Sequence, residues 1–532
     1  MKRSAASAWN YLLSLEGDNS KKPQVEESTQ PNRAHLTPAR TATPNSLITE
    51  QHELLHLNDG VKLVIGMVGL PARGKTHVAR KVTNYFSWIG YAARHFEVAA
   101  YRREKLGAVE SEKFFDPSNK MGHEARVQLR EAIMDSMITW LQDEGQVAIY
   151  DTSNATSEQR RAVKDKLERS FRGNAPTSSS NIDSGKSSWC RLIWIECVCD
   201  DPATIERNFF ESTIHSADFN GFSRDNAFDQ FNKKMEHYKS YYCGLEEDSN
   251  IDSGVSFIKI SDGGKHVVAH NVMGYLEAKL VSFVMNIHSE PRVVLLARHG
   301  QTDYNVHDRV GGDSDLTELG RDFSKSLAKF CYRLEHNNWE ITHEEVATLD
   351  QLPLPAKSNR SPSELVVWTS TANRAIQTVE HVFYRNRVAW NALTEIDAGV
   401  CEAMTYIEIK TKMPLEYAER QKDKYHWRYP RGESYADVTK RLEPVIFEIE
   451  RQRRPVLVIA HRAVLRCLLG YFQGTPKYMV PYIPVPLHHV FVLNSGREGW
   501  KSKGYFLSPQ VEDPAIHREE LEKFNSLYDQ GE

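Results

Sequence analysis

The sequence predicts an α/β protein with two parallel-sheet domains in tandem, and three observations carry that expectation. Its 532 residues exceed what one ordinary core holds, since a domain usually takes roughly 100–200 residues. Short apolar runs alternate with longer helical patterns twice over, first between 61 and 262 and again between 292 and 495, as βαβ units require. The composition is 40% hydrophobic and 26% charged with a formal net charge of -4. That is a soluble globular balance with no basic excess for nucleic acid, so any anion site must be local.

Residues 1–55 read as a disordered tail. The stretch 18–50 is rich in Ser, Thr, Pro and charge, and cannot bury enough surface to order itself. The opening "MKRSAASAWNYLLSLEG" is too short in its apolar part, and too interrupted by Asn10, for a signal peptide. The first domain, 56–288, takes its strands from "VKLVIGMVGL" (61–70), "QVAIYDTSN" (146–154), "RLIWIECVCD" (191–200) and "VSFIKISD" (255–262). Within it, 172–188 is a low-complexity surface loop. The second domain, 289–500, contains "RVVLLARHG" (292–300), "ELVVWTST" (364–371), "RPVLVIAHR" (454–462) and "HHVFVLNS" (488–495). Residues 342–363 read as a loop insertion and 501–532 as a polar C-terminal tail. No run approaches the roughly 18 apolar residues of a membrane span. The seven cysteines are scattered, with only Cys197 and Cys199 close together, which suits neither a zinc site nor a disulfide framework. A cytoplasmic location is expected.

"GLPARGKT", Gly69, Leu70, Pro71, Ala72, Arg73, Gly74, Lys75 and Thr76, follows an apolar strand and precedes the helical "HVARKVTNYF". This is the G-x-x-x-x-G-K-[ST] phosphate cradle in its proper context. Converging backbone N–H groups and a helix N-terminus meet phosphate oxygens, Lys75 reaches the β and γ phosphates, and the Thr76 hydroxyl holds magnesium. ATP and Mg²⁺ are therefore the expected cofactors. Asp151 ends the strand "QVAIY" where a doubly wound sheet places its ligands. It contacts magnesium or a substrate hydroxyl, or it caps the next helix beside Asn154. "YRRE" (101–104) and Arg126 offer cations for an acceptor phosphate, or lie on solvated helix faces.

In the second half, two apolar strands each run into a histidine. "LLARHG" ends on Arg298 and His299, and "PVLVIAHR" on His461, while Arg374 follows "WTSTAN" and Glu395 lies in "LTEIDAG". A neutral imidazole attacks phosphorus, guanidinium pairs match phosphoryl oxygens, and a carboxylic acid protonates a leaving alkoxide. The combination indicates phosphoryl chemistry at strand ends.

"RHGQTDYN" resembles the motif of the histidine phosphatase and phosphoglycerate mutase superfamily. Together with "GLPARGKT", "GGDSDLTELG", "EIDAGVCEAMTY", "YPRGESYADV" and "AHRAVLRCLL", the chain over roughly 60–495 resembles the 6-phosphofructo-2-kinase/fructose-2,6-bisphosphatase family. The resemblance implies a P-loop NTPase-like domain followed by a histidine-phosphatase (phosphoglycerate-mutase-like) domain. In the second, His299 takes the 2-phosphate of fructose 2,6-bisphosphate, Glu395 protonates the departing oxygen, and Arg298, Arg374 and His461 stabilise the transferring group. It further implies that Asn305 and Gly311 border that site, and that Tyr406, Arg420, Lys424, Arg428, Tyr435 and Arg466 hold the sugar and its 6-phosphate, with no cofactor. For the kinase it implies fructose 6-phosphate at Arg102, Arg126, Ser153, Arg160, Lys234 and Tyr238, and a homodimer through the first domain.

The sequence departs from the family pattern at several points. Arg462 stands where animal members usually have glutamine. Thr213 in "NFFEST" occupies a lysine position, Gln159 an arginine position beside Arg160 and Arg161, and Lys234 another arginine position. Lysine keeps the charge and loses the bidentate fork. The expected balance is a competent bisphosphatase with a weakened kinase, the alternatives being a fully bifunctional enzyme or a non-catalytic ATP-binding protein. The expected ligands are small molecules, without nucleic acid or membrane.

Overall fold

The computed structural model describes residues 62–107, 112–116, 118–171, 190–212, 217–246, 254–355, 363–496 and 499–507. The tail expected at 1–55, the low-complexity stretch 172–188 and Thr213 lie outside the described residues. The strands β1 (Lys62–Val68), β2 (Ala93–Glu97), β3 (Val147–Asp151), β4 (Cys190–Val198), β5 (Ser256–Ser261) and β6 (His266–His270) form the N-terminal sheet, ordered β2-β3-β1-β4-β5-β6. All its neighbours are parallel except β5 and β6. The order reverses at β1, so the crevice beyond its carboxyl end is where an open α/β sheet binds ligands. There the chain turns into the helix Lys75–Trp88. The turn requires glycine at Gly69, whose φ is +136° and where a Cβ would stand 2.5 Å from the Cys197 carbonyl oxygen.

The C-terminal sheet holds β7 (Val293–Arg298), β8 (Val366–Ser370), β9 (Asn386–Trp390), β10 (Val456–Ala460), β11 (His489–Gly496) and β12 (Gly499–Phe506), ordered β12-β11-β7-β10-β8-β9. β7, β10, β8 and β9 run parallel, and β11 is antiparallel to β7 and β12. Ala460 of β10 is in register with Arg298 of β7, so the next residues, His461 and His299, leave adjacent strands side by side.

Two expectations are corrected. The tail does not begin at 501, because β12 continues to Phe506 and buries Tyr505 and Leu507. The insertion 342–363 is not a loop at its start: Thr342 and Glu345 form a capping box that nucleates the helix His343–Ala347.

The two sheets share one compact unit, and a single apolar cluster runs from Ile65 and Tyr85 to Leu442 and Leu468. Tyr85 stacks on Phe283 with centroids 4.2 Å apart, and Trp88 donates through Nε1 to the Cys467 carbonyl at 2.8 Å. Glu450, fully buried on the helix Tyr435–Arg451, takes ion pairs from Lys81 of the N-terminal lobe and from Arg292.

Candidate active sites

In the N-terminal lobe the cradle residues open onto a cavity of about 780 Å³, lined in part by Gly74, Lys75, Thr76, Asp151 and Ser153. The Gly69 N–H donates to the Ser153 carbonyl at 3.0 Å, tying the cradle to the turn after β3. Ala72 is held at φ 56°, a strained value for a residue with a side chain, while Asn208 donates to its carbonyl at 2.7 Å. Lys75 Nζ rests on the Leu70 carbonyl at 2.7 Å, and its burial pulls the ammonium below its ordinary proton affinity against the pull of Asp151. The side chain of Arg73 is buried beside Cys199 and Asp200, so Arg73 contributes to the cradle through its backbone.

Asp151 does not cap the following helix. Thr156 does, accepting from the Gln159 N–H at 3.2 Å, and Asp151 instead meets His95 Nε2 at 3.1 Å. Glu97 is in register with Asp151, so His95, Glu97 and Asp151 place three donor atoms within 4.8 Å of one another. With Thr76 lining the same cavity, this oxygen-rich corner fits a divalent cation.

Of the expected fructose 6-phosphate residues, Arg102, Arg126, Ser153, Lys234 and Tyr238 all line the cavity. Arg160 does not. It is buried under the fold, donating to the carbonyls of Asn154 at 3.2 Å, Cys243 at 2.8 Å and Gly244 at 3.4 Å. The adjacent Gln159 faces the cavity instead, because neighbouring positions on a helix lie about 100° apart. Arg102 pairs with Asp218, Arg126 donates to the Phe114 carbonyl, and Lys234 Nζ stands 3.8 Å from the Phe115 ring centroid. Burial, then Arg102, pulls Lys234 down to about 7.

In the C-terminal lobe His299 Nδ1 lies 2.8 Å from the Gly300 carbonyl oxygen. A carbonyl only accepts, so Nδ1 carries the proton and Nε2 keeps its lone pair. Burial, Arg374 and Arg298 hold this imidazole well below its usual proton affinity. His461 Nδ1 accepts from Arg374 Nη2 at 3.2 Å and its Nε2 donates to Ser370 Oγ at 2.7 Å. In this state His461 orients Arg374. Arg374 also donates to the Gly312 carbonyl, and Arg298 to that of Val485 at 3.2 Å. The Nε–H of each of these buried guanidiniums finds no hydrogen-bond partner. An unmet buried donor costs about 1–3 kcal/mol, which an anion between them relieves.

Glu395 accepts from the N–H groups of Ile396 at 2.9 Å, Arg462 at 3.1 Å and Ala463 at 3.2 Å, at the start of the helix Arg462–Gln473. That places it one residue past His461. Asn305 spends its side-chain oxygen on a capping box with Thr302 just beyond the RHG turn. Gly311 sits at φ +72°, where a side chain is strained, and a Cβ there would have to displace the Glu402 carboxylate.

Arg420, Lys424 and Arg466 form the outer cationic wall. Arg420 lies over the rings of Tyr406 and Tyr429 at 5.2 and 5.7 Å, Lys424 over Tyr482 at 4.8 Å, and Arg466 donates to the Tyr435 hydroxyl at 3.0 Å. Burial, then Arg466, Arg420 and Arg462, lowers Lys424 to about 8. The described contact of Arg428 goes elsewhere, to Asp437 at 2.6 Å on the cap of the helix Tyr435–Arg451.

The family model of 6-phosphofructo-2-kinase matches residues 50–291, and that of the histidine phosphatase superfamily (branch 1) matches 294–342 and 354–507. Rat 6-phosphofructo-2-kinase/fructose-2,6-bisphosphatase 3 is 38% identical over 460 residues, which is 86% of this chain and 74% of that protein. Human 6-phosphofructo-2-kinase/fructose-2,6-bisphosphatase 4 is 38% identical over 448 residues, 84% of this chain and 85% of that protein. The chain belongs to the 6-phosphofructo-2-kinase/fructose-2,6-bisphosphatase family. An Arabidopsis thaliana relative bearing the family name is 39% identical over 84% of this chain and 54% of its own length. The two matched segments of the histidine phosphatase model leave out residues 343–353, which hold the helix His343–Ala347.

Against this family's motif pattern, sequence reading overlooked His95, Glu97, Ser370 and Tyr429. Ser370 carried a signal, since it ends β8 beside His461 much as Arg298 ends β7 next to His299. His95 and Glu97 lie on β2, whose weak apolar run concealed the strand.

Proposed function

We propose that the C-terminal site hydrolyses the 2-phosphate of fructose 2,6-bisphosphate through a phosphohistidine on His299, and that the N-terminal site binds Mg-ATP and phosphorylates fructose 6-phosphate slowly. The supporting observation is the neutral His299, with Nε2 unprotonated, beside two buried guanidiniums that each lack a partner for Nε–H. Nε2 attacks the phosphorus as the P–O2 bond breaks, and Glu395 passes a proton to the departing sugar oxygen. Water then attacks the phosphohistidine, yielding its proton to the Glu395 carboxylate and releasing inorganic phosphate. Arg298 and Arg374 neutralise the transferring group. Tyr406, Arg420, Lys424, Tyr435 and Arg466 hold the sugar and its 6-phosphate, with Asn305 and Gly311 at the border, while Arg428 belongs to the helix cap.

In the N-terminal site Thr76 and Asp151 would hold Mg²⁺, which neutralises phosphate oxygens when bound. Gly69–Thr76 bind the nucleotide, and Arg102, Arg126, Ser153, Lys234 and Tyr238 receive the sugar phosphate. The kinase is slow because Thr213 and Gln159 supply no cation and Lys234 is held partly neutral by burial. A fully bifunctional enzyme is the second reading, favoured by Arg103 and Arg130 on the same cavity wall.

The edge strand β6, with exposed Val268, supports a homodimer through this lobe. The seven free cysteines support a reducing cytoplasm. Among the described residues no helix is long and apolar enough to cross a membrane. Assays of the purified chain with fructose 2,6-bisphosphate, and of its His299→Ala variant with fructose 6-phosphate and Mg-ATP, test the reading. A variant turnover within the ordinary kinase range of roughly 1–100 per second establishes the second reading.

A further inference from the structure

The helix Lys120–Asp143 sends both Arg126 and Arg130 to the cavity of the N-terminal lobe. They stand four residues apart on one face, where two like charges destabilise a helix. Burial, and after it Arg130, lowers the Arg126 guanidinium below its ordinary proton affinity. The fold therefore loses a little by holding this pair together.

The other lysines and arginines on the wall are already engaged. Arg80 and Arg103 pair with Glu97 and Arg102 with Asp218, while Lys75 and Arg126 rest on the Leu70 and Phe114 carbonyls and Lys234 covers the Phe115 ring. Arg130 is half-buried, and among the described residues its side chain meets no carboxylate, carbonyl or ring. Its neighbour Glu131 is taken by Lys166. Gln159 lines the same cavity but bends back to accept from the Ala155 N–H at 3.1 Å, and brings no charge.

The guanidinium belongs to the acceptor end of the cavity. Burial raises the proton affinity of the Tyr150 and Tyr241 hydroxyls, and the charge of Arg130 opposes it at both. Tyr241 lies against Tyr238 with ring centroids 5.7 Å apart. The charges that act on Lys75 of the cradle come instead from Asp151, Cys197 and Arg73.

We propose that Arg130 is a specificity-determining residue of the kinase lobe, which takes the non-reacting phosphate of the acceptor sugar together with Arg126 and so selects a phosphorylated acceptor over an unphosphorylated one. The inference rests on the reading of this lobe as a fructose 6-phosphate kinase. A dianionic phosphate relieves the repulsion between Arg126 and Arg130 and gives the unpartnered guanidinium a bidentate acceptor. That phosphate is unchanged by the reaction, so the contact is equal in the ground and transition states and acts on KM. Slow turnover and a firm grip on the sugar phosphate thus coexist.

The test uses the full chain carrying His299→Ala, so that fructose 2,6-bisphosphate accumulates, with fructose 6-phosphate and Mg-ATP varied separately. Arg130→Gln is expected to raise KM for fructose 6-phosphate at least about tenfold, with kcat and KM for Mg-ATP each within about threefold of the parent. The ratio of kcat/KM for fructose 6-phosphate over fructose falls by the same factor. Arg130→Lys keeps the charge without the fork and lies between. Arg130→Glu pairs with Arg126 along the helix, so it binds the sugar phosphate more weakly than Arg130→Gln while its Tm is no lower than the parent's. Equal KM for fructose 6-phosphate in parent and Arg130→Gln, a rise confined to KM for Mg-ATP, or a joint loss of kcat and Tm overturns the proposal and leaves the kinase reading standing. A parent that makes no fructose 2,6-bisphosphate removes that reading, and the proposal with it.

Discussion

Both candidate sites lie beyond the carboxyl ends of parallel strands, and both rest cations on main-chain carbonyls, in the N-terminal lobe Lys75 on Leu70 and Arg126 on Phe114. Only the C-terminal site also fixes an imidazole in one tautomer. In the C-terminal lobe each guanidinium is fixed by a carbonyl: Arg298 by Val485, Arg374 by Gly312 and Arg466 by Ile483. The nucleophile is likewise fixed in one tautomer by Gly300. In the N-terminal lobe the candidate nucleotide contacts are those of a backbone cradle, and Lys75 rests on Leu70 at the wall of a cavity of about 780 Å³. A covalent route needs its attacking atom and charge stabilisers placed before substrate arrives. A nucleotide site can rely on the ligand's own charge to draw its cations in.

The largest test of this contrast is His299→Ala. It is expected to lower phosphate release from fructose 2,6-bisphosphate by at least about 10³-fold while leaving Mg-ATP stabilisation of the fold unchanged. Retained hydrolysis would remove the covalent mechanism and the contrast with it. Glu395→Gln comes next, with steady-state hydrolysis slowed roughly 10²-fold. Two of its three backbone contacts, from Ile396 and Ala463, persist through the amide oxygen while the Arg462 N–H loses its acceptor. A modest fall in Tm therefore accompanies the loss, and wild-type turnover would refute the acid–base role.

The kinase lobe supplies a sharper pair. Arg160→Ala is expected to cost about 2 kcal/mol of unfolding free energy, since carbonyls served by a charged donor are left bare, with no change in KM for fructose 6-phosphate. Gln159→Arg is expected to lower that KM by about tenfold with little effect on stability, one added charge contact being worth roughly that much. The reverse pattern in denaturant melts and kinase assays would exchange the roles of these neighbours.

The smallest effect is a pH dependence. Lys424 in the free enzyme is charged below about 8 and neutral above it. Its contribution to holding the 6-phosphate is therefore present below that pH and lost above, raising KM by up to about tenfold per pH unit. Lys424→Arg should flatten the profile, and an unchanged slope would place the 6-phosphate elsewhere.

Eight strands were legible in the sequence, and they are the inner strands of the two sheets; the four edge strands β2, β6, β9 and β12 were not. An inner strand packs on both faces and reads as an unbroken apolar run, as in "VLVIA" of β10. An edge strand such as β9 is mostly exposed and mixes polar with apolar residues, so nothing distinguishes it from a loop. The C-terminal site was legible for the same reason: His299 and His461 are attached to inner strands, and two apolar runs ending on histidine place both at one sheet edge.

What the sequence determined by itself was local: the cradle at Gly69–Thr76, the strand-end histidines and the apolar runs that fix the two sheets. Only the tertiary structure decided which of Gln159 and Arg160 faces the cavity, because one residue of helix rotation separates a ligand contact from a structural prop. It also decided that His461 and Ser370 hold Arg374, that Arg428 serves Asp437, and that Glu450 joins the lobes through Lys81 and Arg292. Each of these depends on partners distant along the chain. Local propensity carries no record of such pairs, and they come together only when the sheets and helices pack.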